Sequence, residues 1–186
     1  MATVAIIGDG PAGLSAAVFL AKNGQQAIVF GQDKTAMHYA QLYNYLGIRD
    51  MKGSDFQEVA RAQAADLGAE LRDETVESLS MRDGRFVVRT DDGTIDADYV
   101  VLAGSKQVKR LADELGAEAP EDRLRIDTEY RTSVDRLYAV GRIARPGRSQ
   151  AIISAGAGAT AALDILSREA GKDVHDWDTP DEDSAG

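Results

Sequence analysis

Residues 3–31 read TVAIIGDGPAGLSAAVFLAKNGQQAIVFG, and no other stretch narrows the fold as far. Residues 3–7 are a short unbroken apolar run with β-branched members, the pattern of a strand buried on both faces. Gly8-Asp9-Gly10-Pro11-Ala12-Gly13 follows, and residues 14–22 read as an alanine-rich helix, apolar nearly all round, with Gly24 just past its end. Residues 27–30 are a second buried strand. The whole is a strand–turn–helix–strand unit of βαβ length. Within it the G-x-G-x-x-G spacing gains meaning, because it follows a strand and opens a helix. Gly8 permits the tight turn, Gly10 lets backbone approach a pyrophosphate, and Gly13 lets helix and strand pack closely. Pro11 sits where a missing N–H costs nothing, and the helix N-terminus, Ala12 included, turns free N–H groups toward a phosphate. The alternative is an unliganded strand–helix turn.

A dinucleotide cradle usually has a companion, an acidic residue at the end of the second strand that grips ribose hydroxyls. Here that position is Gly31, and Asp33 comes two residues later. Asp33 can compensate only if the loop bends back.

The remaining chain fits an α/β fold: a Rossmann-like dinucleotide-binding domain whose parallel sheet carries a short antiparallel β-meander. Residues 32–53 are irregular, with Tyr39, Tyr43 and Tyr45 suited either to stacking on a ring or to plain packing. Ser54 opens a helix with Gln57 as its capping-box partner, and Phe56, Val59, Ala60, Gln63 and Leu67 mark the inner face. Two Asp-Gly pairs, Asp83-Gly84 and Asp92-Gly93, separate alternating strands, the signal of hairpins. Residues 99–103 return to the parallel sheet, 106–125 form a charged, partly helical connector, 137–140 are another buried strand, and 151–170 are a long alanine-rich helix. Residues 1–176 are expected to form one domain, with 177–186 an acidic tail lacking fixed structure and Trp177 tucking it against the body.

Composition excludes several classes. The net charge is −10 over 186 residues, which argues against nucleic acid or an anionic membrane surface as a partner. Of 21 basic residues 15 are Arg, and an acidic, lysine-poor surface suits a cytoplasm at high salt, the halophilic case. There is no cysteine, so dithiol chemistry within these residues is excluded. The N-terminus lacks a signal-peptide pattern, and no apolar run approaches the roughly 18 residues of a membrane span. A cytoplasmic protein is expected. His38 and His175 are the only histidines and stand far apart, so no metal site is expected.

Beyond these readings, the chain resembles the flavoprotein pyridine nucleotide-disulfide oxidoreductase superfamily, and most of all the FAD domain of thioredoxin reductases. IIGDGPAGLSAAVFLAKNG resembles that family's FAD pyrophosphate motif. Gln41-Leu42-Tyr43-Asn44-Tyr45-Leu46-Gly47 resembles its Gln loop and Glu-Asn-Tyr-Pro-Gly segment, which implies that Gln41 and Asn44 lie against a flavin. Residues 100–105, ending Ala103-Gly104-Ser105, are similar to its apolar strand ending in Ala-Thr-Gly. Residues 132–141, TSVDRLYAVG, resemble its T-S-V-P-G segment and run into QAIISAGAG at 150–158. The resemblance implies that the backbone at Gln150-Ala151 faces the flavin pyrimidine edge, where a helix N-terminus favours negative charge.

The departures from the family pattern carry as much information. After Gly141 the family places an aspartate on the FAD ribityl chain, and this chain has Arg142. Arg142 meets FAD itself, or a different phosphorylated ligand such as a nicotinamide dinucleotide, or an acid of its own chain at a decayed site. Arg145 and Arg148 read as solvated loop charges. The family inserts an NAD(P) domain carrying the redox cysteines after Gly104-Ser105; here only about 25 residues lie in that place. The expectation is an FAD-binding oxidoreductase that is not a thioredoxin reductase by itself. Its electrons come from NAD(P)H or a redox partner protein, and the bare face suits a homodimer. The competing expectation is a non-catalytic dinucleotide-binding sensor or regulatory module. No side chain is assigned as a catalytic acid or base. The candidate cofactor-binding residues are Gly8, Gly10, Pro11, Ala12, Gly13, Asp33, Gln41, Asn44, Gly104, Gly141, Arg142, Gln150 and Ala151. Gly156 and Gly158 read as close helix packing against the sheet or the flavin.

Overall fold

The computed structural model describes residues 1–104, 106–120 and 123–179. β1 (Thr3–Ile7), α1 (Pro11–Lys22) and β2 (Gln26–Phe30) form the expected βαβ unit, with β1 and β2 paired in parallel from Thr3↔Gln26 to Ile7↔Phe30. α2 (Gly53–Asp66) leads to β5 (Glu70–Arg72), which adds parallel to β2. β9 (Tyr99–Leu102) pairs on the other side of β1, and β10 (Leu137–Ala139) pairs beside β9, both parallel. The sheet order is β10-β9-β1-β2-β5. The chain builds outward from β1 in one direction and then restarts at β9 in the other. A crevice therefore opens between the C-terminal ends of β1 and β9, the place where such sheets bind ligands.

The apolar runs are continuous because both faces of the sheet are covered. Val4, Ile6, Val29, Val101 and Tyr138 face one core, beneath α1 and α4 (Ala151–Ala170). Ala5, Ile7, Phe30, Val100, Leu102 and Leu137 face the other. That second core is roofed by α3 (Lys106–Glu114) and by an antiparallel meander of β6 (Val76–Arg82), β7 (Arg85–Thr90) and β8 (Thr94–Ala97). The meander is thus a packing layer as well as an insertion. Its first turn holds Asp83 at φ +51° and Gly84 at φ +76°, the two left-handed residues a tight hairpin needs. On the α4 side, buried Asp164 takes hydrogen bonds from Arg131 Nε at 2.7 Å and from the Tyr138 hydroxyl at 2.5 Å, and Arg131 Nη2 also reaches its second oxygen.

Several expectations are corrected. Ser54 and Gln57 form no capping box: Lys52 is the N-cap, without a side-chain bond, and Gln57 turns inward. The buried stripe of α2 is Gly53, Gln57 and Ala64, whereas Val59 is exposed, because this helix faces a glycine loop through small and polar groups. β5 and a two-strand pair, β3 (Gln41–Leu42) with β4 (Met51–Lys52), stand where no strand was expected. Trp177 is 86% exposed and anchors nothing. Lys22 holds the chain there instead, through Asp176 at 2.9 Å and Asp178 at 2.5 Å. Most of the acidic tail, residues 180–186, lies outside the described residues, as do Ser105 and residues 121–122 of the connector. Among the described residues no helix is long and apolar enough to cross a membrane.

Candidate functional site

The glycine loop sits in the crevice between β1 and β9. Gly8 adopts φ +116°, and a Cβ there would overlap the carbonyl oxygen of Ala103 at the end of β9. Its N–H donates to Phe30 O at 2.8 Å, so the loop is tied to β2 as well. A Cβ on Gly13 would overlap Gly8 O, which is the close helix-to-strand approach expected of the third motif glycine. Around Gly10 there is open space, with nothing within 4 Å of a Cβ position. Gly10 caps α1 without a side-chain bond, and Pro11 begins the helix. Among the described residues the N–H groups of Gly10, Ala12 and Gly13 meet no acceptor. The loop therefore offers free donors beside open space at the positive end of a helix dipole, which fits a pyrophosphate.

A second helix, α4, crosses the start of α1. Gly141 packs against Ala12, with 3.3 Å between a Cβ position at 141 and Ala12 Cβ. A Cβ on Gly158 of α4 would overlap Ala12 O. Gly158 thus makes the close helix packing foreseen for it, against α1 rather than the sheet or a ring, while a Cβ on Gly156 would meet nothing within 4 Å. Gln150 caps α4 without a side-chain bond, and Ala151 is buried at its start. Gly104 accepts from Ile143 N at 3.1 Å, which joins the end of β9 to the turn after β10. The structure therefore brings Gly8, Gly10, Pro11, Ala12, Gly13, Gly104 and Gly141 to one crevice.

The remaining candidates lie at its margins. Arg142 is exposed, and its one hydrogen bond among the described residues is Nε to Ser149 Oγ at 3.4 Å. No carboxylate among the described residues lies within ion-pair distance of it. Gln41 is exposed and donates to Asp50, and Asn44 is exposed. Of the tyrosines, Tyr39 and Tyr43 project into solvent, and Tyr45 packs on Phe56 with ring centroids 5.4 Å apart. Tyr45 and Phe56, with Pro11, Leu14, Val18, Ile48 and Met51, wall an apolar pocket of about 360 Å³ beside the first turn of α1.

Three residues at this site went unassigned in the sequence: Asp9, Gln57 and Arg61. Asp9 is 4% exposed in the middle of the glycine loop. Its Oδ2 pairs with Arg61 and accepts the N–H of Asp33 at 2.9 Å, so the loop after β2 does bend back toward β1. Gln57 Nε2 donates to the Asp9 carbonyl at 2.6 Å, while Gln57 Oε1 is buried without a donor among the described residues. A buried unmet acceptor costs about 1–3 kcal/mol, so this amide is held under the loop against its own interest. The one signal in the sequence was an acid inside a glycine motif whose usual acid, at position 31, is absent.

Comparisons with known proteins agree with this geometry. Residues 45–162 match the family described as "Pyridine nucleotide-disulphide oxidoreductase", and residues 3–85 match "FAD binding domain". The chain is 35% identical over 116 residues to "NADPH-dependent thioredoxin reductase 3" of Arabidopsis thaliana, covering 58% of this chain and 22% of that protein. It is 36% identical over 113 residues to "Bifunctional thioredoxin reductase/thioredoxin" of Mycobacterium leprae, covering 58% of this chain and 25% of that one. The chain thus spans about a quarter of these relatives. An atypical thioredoxin reductase from Desulfovibrio vulgaris Hildenborough superposes with a TM-score of 0.82 at 20% identity, covering 90% of this chain and 97% of that chain. One from Gloeobacter violaceus superposes at 0.84 and 18%, covering 95% and 99%. These two show the fold. With the glycine loop at the sheet's switch point and well over half its length matched, the chain belongs to the pyridine nucleotide-disulphide oxidoreductase family.

Proposed function

We propose that residues 1–176 act as one FAD-binding unit that passes electrons between its flavin and a nicotinamide cofactor or a redox partner protein. The observation that carries this reading is the uncapped start of α1, with free N–H groups around the open space at Gly10 and α4 crossing it at Gly158. Gly10, Ala12 and Gly13 would donate to the pyrophosphate oxygens. The start of α4 at Gln150 and Ala151 adds a second positive helix end. A bound flavin supplies the redox chemistry. The chain's own work is to bind, orient and bias charge, and no side chain is assigned a proton.

The test is a visible absorption spectrum of the purified protein, followed by titration with FAD. A yellow protein, or one that takes up FAD stoichiometrically, is expected. A colourless protein that ignores added FAD overturns the reading. Bleaching by NADH or NADPH without oxygen then separates an oxidoreductase from a regulatory module. The second reading is favoured by the short connection from β9 to β10, where α3 and a loop stand in place of a whole NAD(P) domain.

Arg142 supplies a further prediction. It is exposed and free of carboxylates, and it follows a glycine packed on Ala12. Arg142→Asp restores the family's hydroxyl-accepting group, and one gained hydrogen bond of about 1 kcal/mol raises FAD affinity about fivefold. Unchanged or weaker binding in the same titration means that Arg142 itself contacts the ligand.

A further inference from the structure

The space a side chain at position 31 would occupy is already taken. A Cβ on Gly31 would overlap Asp9 Cγ and stand 2.5 Å from Asp9 Oδ1. The carboxylate of Asp9 therefore sits beside the end of β2, where dinucleotide-binding sheets present the acid that grips ribose. It arrives from the glycine loop instead of from the strand.

That carboxylate is held in place. Its Oδ2 is engaged by Arg61 and by the Asp33 N–H, and its own carbonyl by Gln57. Oδ1 accepts no hydrogen bond among the described residues, and it is the oxygen nearest Gly31. Asp33 turns away from this place: its side chain is half exposed with Oδ1 3.1 Å from His38 Nε2, and its N–H is turned onto Asp9. A carboxylate with one oxygen pinned and the other free, next to a phosphate cradle, suits a neutral hydroxyl donor.

We propose that Asp9 is the ribose-binding residue of this chain: the acid missing from position 31 has been moved into the glycine loop, and Asp9 Oδ1 accepts from an adenosine ribose hydroxyl. The inference rests on the FAD reading given above. Gly31 follows as its necessary partner, since any side chain there collides with the relocated carboxylate.

FAD dissociation constants of the parent and four variants test this, measured by flavin fluorescence, with the melting temperature of each ligand-free protein taken separately. Asp9→Asn keeps the shape and removes the charge; FAD binding weakens at least about tenfold, the size of a lost charge-assisted hydrogen bond. Gly31→Glu alone also weakens binding, because two carboxylates contend for one place. The exchange Asp9→Gly with Gly31→Glu moves the acid back to the strand and recovers affinity to within about threefold of the parent. Asp9→Gly with Gly31→Gln does not recover it. Asp9→Asn binding FAD as the parent does, or the Gln exchange recovering as well as the Glu exchange, overturns the proposal and leaves the FAD reading standing. If the parent protein binds no FAD, both fall. Should Asp9→Asn fail to fold, the contrast between the two exchanges decides alone.

Discussion

Replacing Gly158 with alanine will cost the fold about 3 kcal/mol or more, since added atoms meet backbone that cannot step aside. A Cβ there overlaps Ala12 O and stands 2.9 Å from Ala12 C and 3.1 Å from Ala16 N. For a chain of this size the melting temperature falls by roughly 6–12 °C, read by circular dichroism. The neighbouring Gly156→Ala is the matched control. Nothing lies within 4 Å of its Cβ position, so in mid-helix it stabilises by about 0.5–1 kcal/mol. Two Gly→Ala changes two residues apart thus carry opposite signs. The first also spreads α1 from α4 at Ala12, and FAD affinity falls with it. A Gly158→Ala protein as stable as its parent would mean that the two helices do not cross at this point.

The second large effect lies at Asp164, whose side chain is 7% exposed while that of Arg131 is 44% exposed. Burial works to raise the Asp164 pKa, but the hydrogen bonds from Arg131 and Tyr138 outweigh it and hold the carboxyl below its ordinary value. Burial raises Tyr138 in turn, with the Asp164 carboxylate adding to it. The sign follows from linkage. An acid with a depressed native pKa contributes stability that is complete above its unfolded value, about 3.9, and is lost as pH falls through the native value. Asp164→Asn removes the charge and one of the two acceptor oxygens, and turns an NH2 donor toward Arg131 or Tyr138. Removing one partner of a buried pair costs about 3–5 kcal/mol, and the half-exposed arginine brings this to about 2. Melting curves from pH 7 to pH 2 check it. The variant is less stable at pH 7, the gap is constant down to about pH 4, and the two proteins converge in stronger acid. A gap that stays the same at pH 2 would rule out the carboxylate as its source.

The elements that carry their signal locally were legible in the sequence. β1, β2 and β9 are unbroken apolar runs because each is covered on both faces, and α4 begins and ends at the expected residues, with Gly171 in the left-handed conformation behind it. β5 was not legible. It is a three-residue edge strand, Glu-Leu-Arg, and its pairing with β2 is all that makes it a strand. The face of α2 was misread by the same logic: Val59 looked like core and is exposed, while Gln57 looked like a cap and is fully buried. Apolarity cannot reveal a helix that packs on a polar loop. At the site, the glycines were legible because each answers a need of its own backbone. Asp9 was not, because its place is defined by the absence of a side chain at Gly31 and by Arg61 from another helix.

The order in which the chain supplies this crevice has a consequence for its birth. β1 lies at the middle of the sheet, yet one of its neighbours is β9, and the helix locked onto α1 at Ala12 is α4. The glycine loop leaves the ribosome well before the helix that packs on it, whose Gly158 comes about 145 residues after Gly13. At ordinary translation speeds that is a delay of roughly 7–29 s. Throughout it the side of α1 that packs on α4 lacks its native partner, and the nascent protein is open to chaperones and to misassembly. The crossing of α1 and α4 therefore waits for α4, and a truncation between α1 and α4 yields a chain that carries the whole glycine motif without the helix that packs on it.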